Sequence, residues 1–111
     1  MDAPVMLSLH VPDIRTLHLA YMPFLISGGL FIPTNDGYEM GDEVYLLLRL
    51  PDAPESMAVN GRVVWITPAR AQAGLQQGIG LQFLERPSAM KAHIETLLTN
   101  NRSPEGRTWT L

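Results

Sequence analysis

An antiparallel β-barrel or sandwich, with one helix over an open end or seam, is the fold this sequence predicts. Three observations carry that prediction. Short apolar segments recur at regular spacing with turn residues between them, and they alternate with a period of two. Only one segment, near the C-terminus, repeats at helical spacing. The chain has 111 residues, of which 46% are hydrophobic and 17% charged, enough for one domain with a single core and too apolar for disorder.

The first strand is expected within Met1 to Val11, where Leu7, Leu9 and Val11 share one face and Met6, Ser8 and His10 the other. Pro12 and Asp13 end it, and Asp13 suits the cap of a short helical turn reaching about Leu17. In Phe24–Pro33 the pair Gly28-Gly29 separates two apolar runs. That pattern marks a strand entering or leaving a sharp bend, since glycine accepts positive φ. Leu30 to Pro33 forms the next strand, closed by Thr34-Asn35-Asp36-Gly37.

After the turn Gly41-Asp42, residues Val44, Leu46, Leu48 and Leu50 occupy one face of a strand, with Tyr45, Leu47 and Arg49 opposite. Pro51 to Ser56 reads as a loop. Val59 to Thr67 is rich in β-branched and aromatic residues, as strands are. Pro68 to Gln77 is expected to be a mobile hairpin loop, and Gly78–Phe83 alternates with Ile79, Leu81 and Phe83 inward. The helix spans about 88–99, capped by Ser88, with Met90, Ile94, Leu97 and Leu98 on its apolar face. Residues 1–99 thus form one domain, and 100–111 a flexible polar tail in which Trp109 is either a docking residue or disordered.

Composition narrows the function. A net charge of -3 without a basic cluster argues against nucleic acid as a partner. The absence of cysteine removes disulfides and thiolate metal sites. No apolar run spans a bilayer, so membrane insertion is not expected, and with no secretory signal in view a cytoplasmic location is. His10, His18 and His93 lie on different elements without metal-ligand spacing, and Glu39, Asp42 and Glu43 read as a solvated acidic turn. No serine has a nucleophile-elbow context, and Gly78-Ile79-Gly80 lacks the helix that a phosphate-cradling loop requires. No catalytic residues, metal or cofactor are therefore expected, and the chain does not read as an enzyme.

Four segments, in order, are Ser27-Gly28-Gly29-Leu30-Phe31-Ile32, Gly41-Asp42-Glu43-Val44, Gly61-Arg62-Val63-Val64-Trp65 and Gly78-Ile79-Gly80-Leu81-Gln82-Phe83. Together they resemble the PilZ domain family from Tyr21 to about Leu98. The run Ala20-Tyr21-Met22-Pro23-Phe24, followed by Gly28 to Thr34, is similar to the stand-alone members that serve type IV pilus assembly. The resemblance implies a six-stranded antiparallel β-barrel with a C-terminal helix. It also implies a ligand, cyclic di-GMP, held in the wider family by an Arg-x-x-x-Arg motif and an Asp/Asn-x-Ser-x-x-Gly motif. Arginine forks pair with phosphate and stack on guanine, while the Asp/Asn and Ser groups reach the base edges. Aligned on Gly29, this chain has Phe24 and Ile26 at the two polar positions. Only Arg15 lies upstream, with Leu19 four residues on. Cyclic di-GMP binding is not expected.

What the resemblance implies instead is a non-enzymatic adaptor for type IV pilus biogenesis and twitching motility. Its implied partners are the pilus extension ATPase (PilB-like) and a degenerate EAL-domain receptor of cyclic di-GMP (FimX-like). The other reading is a cyclic di-GMP sensor with an unconventional site, for which Arg15, Arg49 and Arg62 are the available cations. Partner contacts concentrate in aromatic and large apolar anchors. The candidates are Tyr21, Met22 and Trp65, together with Phe24, Ile26 and Phe31, which read either as core or as an apolar patch in place of the nucleotide. The strand bearing Leu7, Leu9 and Val11 also offers an edge for strand addition.

Overall fold

The computed structural model describes residues 5–70, 75–85, 88–100 and 110. Its elements are β1 (Val5–His10), α1 (Ile14–Ala20), β2 (Gly29–Pro33), β3 (Glu43–Arg49), β4 (Met57–Thr67), β5 (Gly78–Phe83) and α2 (Ala89–Asn100). The strands form one sheet in the order β1-β3-β4-β5-β2, curled into a half-barrel. Residues 71–74 of the expected hairpin loop, and residues 101–109 of the expected tail with Trp109, lie outside the described residues.

Two expectations are corrected. Among the described residues the sheet has five strands, where the resemblance implied six, and it is mixed: β1 runs parallel to β3, with Val5 opposite Val44 and His10 opposite Arg49. The other pairs are antiparallel. A parallel neighbour needs a crossover, and here α1, the following loop and β2 intervene between β1 and β3. The apolar run before the glycines adds no strand. It folds as two consecutive turns, in which Leu25 N–H donates to Met22 C=O (3.4 Å) and Gly28 N–H to Leu25 C=O (3.0 Å). Pro23 has no N–H to give a ladder, and the segment joins β2 through the Tyr21–Leu30 bridge and the bond from Met22 N–H to Gly29 C=O.

Local signals work where they are strong. Asp13 caps α1, accepting from Thr16 N–H at 2.7 Å, and the helix runs on past Leu17 to Ala20. Ser88 Oγ accepts from Lys91 N–H at 3.0 Å at the start of α2. β3 alternates as expected, with Val44, Leu46 and Leu48 buried and Tyr45 and Leu47 half-buried. The concave face of the sheet carries the main core, from Val44, Leu46, Leu48, Val63, Ile79, Leu81, Phe83, Leu30 and Ile32. Leu17 and Ala20 of α1 and Met90 and Ile94 of α2 cover it.

Met22 and Phe31 are fully buried yet lie outside that core. Phe31 stands opposite Gly80 in the β2–β5 ladder, between the inward Leu30 and Ile32, so it points to the convex face. There a small second cluster forms, and it positions the candidate site.

Candidate protein-binding surface

The segment from Tyr21 to Gly28 divides its side chains between the two faces of the sheet. Tyr21 turns inward, is buried, and its hydroxyl donates to Glu95 Oε2 of α2 at 2.6 Å. Burial foremost, and then this bond to a carboxylate, hold the phenol well above its ordinary pKa. Met22 turns outward and roofs Gly80: a Cβ built there would lie 2.7 Å from Met22 Sδ and 2.7 Å from Trp65 Cβ. Gly78 makes similar room, because its Cβ would meet the Phe31 ring at 2.7 Å. The two glycines of β5 are thus the floor on which Met22, Phe31 and Trp65 pack.

Trp65 reaches this face through a β-bulge. Val63 pairs with Leu81, but Trp65 pairs with Gly80, so one extra residue sits on β4 between them. Regular alternation would point Trp65 inward with Val63; the bulge reverses it. Its indole N–H donates to Thr67 Oγ1 at 2.8 Å, so the ring's polar atom is satisfied within the chain. Phe24 packs on it with ring centroids 5.9 Å apart and planes tilted by 52°, while leaving 43% of its own surface exposed.

Ile26 is 74% exposed on the same loop. Its carbonyl accepts from Lys91 Nζ at 3.3 Å, and the Lys91 stem lies against Gly28, whose φ is 72°. Helix α2 therefore holds the loop at two points, through Lys91 and through Glu95.

The six expected contact residues accordingly part company. Phe24, Trp65 and Ile26 present apolar surface. Met22 and Phe31 support it from beneath, and Tyr21 belongs to the main core. Tyr21, Met22 and Phe31 are interior residues in this fold, Met22 beside Gly80, Phe31 beside Gly78 and Tyr21 bonded to Glu95. Sequence reasoning overlooked Gly78 and Gly80 as the floor and Lys91 as the latch. The glycine alternation in β5, with one aromatic each on the strands bearing Phe31 and Trp65, was the available signal for the floor.

The polar inventory elsewhere is sparse. Among the described residues no three His, Asp or Glu side chains gather as metal ligands. His93 Nε2 lies 3.4 Å from Asp52 Oδ2 at the surface. A groove of about 280 Å³ beside it is lined by Met57, Val59, Glu85, Met90 and His93. The exposed Phe24 and Ile26 offer neither donor nor acceptor from their side chains. Among the described residues no helix is long and apolar enough to cross a membrane.

Compared with known families, the chain matches the PilZ domain over residues 2–100. No curated protein matches it. PilZ domains are in general non-enzymatic binding domains, acting as adaptors or receptors in cyclic di-GMP signalling. A match that takes in every strand and both helices, on a curled five-stranded sheet with its C-terminal helix, makes this chain a member of the PilZ domain family.

Proposed function

We propose that this chain is a cytoplasmic, non-enzymatic adaptor of type IV pilus biogenesis and twitching motility. It binds the pilus extension ATPase, and in some bacteria a degenerate EAL-domain receptor of cyclic di-GMP, without taking up the nucleotide itself. The observation that supports this reading is that the exposed Phe24, packed on the half-buried Trp65, and the exposed Ile26 stand where the resemblance puts the family's polar ligand groups. Each charge-assisted hydrogen bond lost with those groups is worth about 1.5–3 kcal/mol. Three such losses remove several decades of affinity at about 1.4 kcal/mol per decade. The same substitutions create an aromatic anchor with a satisfied indole N–H, which suits a protein contact.

Calorimetry and capture separate the two activities. The purified chain gives no binding heat with cyclic di-GMP, and micromolar binding would favour the sensor reading. Wild-type protein captures the extension ATPase from piliated cells, while Phe24→Ala and Trp65→Ala do not. Failure of the wild type to capture it rejects the adaptor role. Full capture by both variants moves the contact to another surface.

A further inference from the structure

The two edges of the sheet differ. The outer edge of β2 is closed by the Tyr21–Leu30 bridge, by Met22 N–H donating to Gly29 C=O at 3.0 Å, and by Pro33. Along the outer edge of β1, Val5–His10 contains no proline, no bulge and no Lys, Arg, Asp or Glu. Val5 is 45% exposed and Met6 64%.

The direction of its backbone groups follows from one bond. Val11 N–H donates to Arg49 C=O of β3 at 2.9 Å. In an extended strand alternate residues face alternate edges, so Val5, Leu7 and Leu9 address β3 while Met6, Ser8 and His10 turn their N–H and C=O outward. Among the described residues, no backbone group pairs with these three from the outer side.

The sequence around this edge is close to a palindrome centred on Ser8. Reading outward on both sides, Leu7 matches Leu9, Met6 faces His10, Val5 matches Val11, and Pro4 matches Pro12. An antiparallel pairing of two identical strands about a two-fold axis places residue and mirror residue opposite each other, which is what a self-complementary contact requires. With the axis at Ser8, both outward bonds of Ser8 go to the partner's Ser8, and those of Met6 to the partner's His10. Leu7 then meets the partner's Leu9, and Val5 the partner's Val11, on the concave side in both copies. Pro12, which has no N–H, falls at the position where the ladder stops.

We infer that β1 is a homodimerisation edge, pairing antiparallel with β1 of a second copy about a two-fold axis at Ser8 and joining two half-barrels into one continuous sheet. The interface is short, so the dimer is weak and concentration-dependent. Trp65 lies on β4, two strands from this edge, so pairing leaves both Phe24–Trp65 surfaces open. Such a dimer offers a partner two contacts, with the avidity that follows.

Sedimentation equilibrium on the full chain tests this. Wild type and Trp65→Ala populate a dimer that grows with concentration, while Ser8→Lys, which sets like charges opposite each other, weakens it at least tenfold without changing the circular dichroism. A wild type that stays monomeric to millimolar concentration, or a folded Ser8→Lys that dimerises as wild type does, overturns the proposal. If Ser8→Lys does not fold, Ser8→Cys decides. Hydrogen-bonded antiparallel partners have Cα atoms about 5.5 Å apart, within the disulfide range of about 4.4–6.8 Å. In this cysteine-free chain Ser8→Cys forms a covalent dimer under mild oxidation at least tenfold faster than Glu55→Cys, on an exposed loop. Equal rates overturn the proposal.

Discussion

Phe24 and Trp65 meet ring to ring, 5.9 Å between centroids and tilted by 52°, on the convex face of the sheet. A tilted pair at this separation gains about 0.5–1.5 kcal/mol beyond its buried area. Because Phe24 is 43% exposed, Phe24→Ala is expected to cost the fold only about 1 kcal/mol. Its effect on partner affinity is larger, at least about thirtyfold for a contact that acts as an anchor. Chemical denaturation and binding measured on the same variant check both numbers. An affinity loss that merely matches the stability loss rejects the anchor role.

The floor of the patch is tested at Gly80. Gly80→Ala drives a methyl group to 2.7 Å from Met22 Sδ and from Trp65 Cβ. The methionine tip swings aside, but the tryptophan Cβ is tied to the β4 backbone, so overpacking costs about 1–3 kcal/mol. The Phe24–Trp65 surface is displaced with it. Tryptophan fluorescence shifts along with the unfolding midpoint, and an unchanged spectrum rejects this packing.

Tyr21 makes a pH-dependent contribution. Its folded pKa is raised, first by burial and then by the hydrogen bond to Glu95. The folded state therefore holds the phenolic proton more tightly than the unfolded chain. The contribution is complete below the unfolded pKa of about 10 and is lost as pH climbs above it. Tyr21→Phe is expected to be less stable than wild type by about 1 kcal/mol at neutral pH. That gap narrows above about pH 10, where the phenol of the unfolded wild type ionises while the buried one keeps its proton, and the variant has none to ionise. Unfolding curves at pH 7 and in the alkaline range measure it.

Gly28 tests the latch. At φ 72° a side chain costs about 1–2 kcal/mol, and a Cβ would stand 2.9 Å from Lys91 Cγ. Gly28→Ala lowers stability by at least that much. Lys91→Ala, which removes only an exposed bond to the Ile26 carbonyl, changes stability little. It raises amide exchange in residues 22–28 instead. Unaltered exchange in Lys91→Ala means that the turns hold the loop unaided.

Much of the fold is legible in the residues. The alternation of Val44, Leu46 and Leu48 identifies a half-buried strand, Asp13 and Ser88 announce helix starts through their side-chain oxygens, and Met90 and Ile94 mark the buried side of α2. The candidate site was legible in part. Its residue types stood out, yet Phe24, Trp65 and Ile26 could not be separated from Tyr21, Met22 and Phe31, because exposure depends on what lies opposite each side chain.

Sequence by itself determined which segments extend or coil, which face of each is apolar, and that Phe24 and Ile26 have no ligand chemistry. Those are properties of single residues and of their spacing along one element. Tertiary structure alone decided the parallel placement of β1, the bulge that sends Trp65 to the convex face, and the division of Tyr21 from Met22 across the sheet. The reason is physical: strand direction, register and the room above a glycine belong to pairs of segments distant in the chain. Val63 and Trp65 are neighbours in sequence, but only their pairing with Leu81 and Gly80 makes one of them core and the other surface.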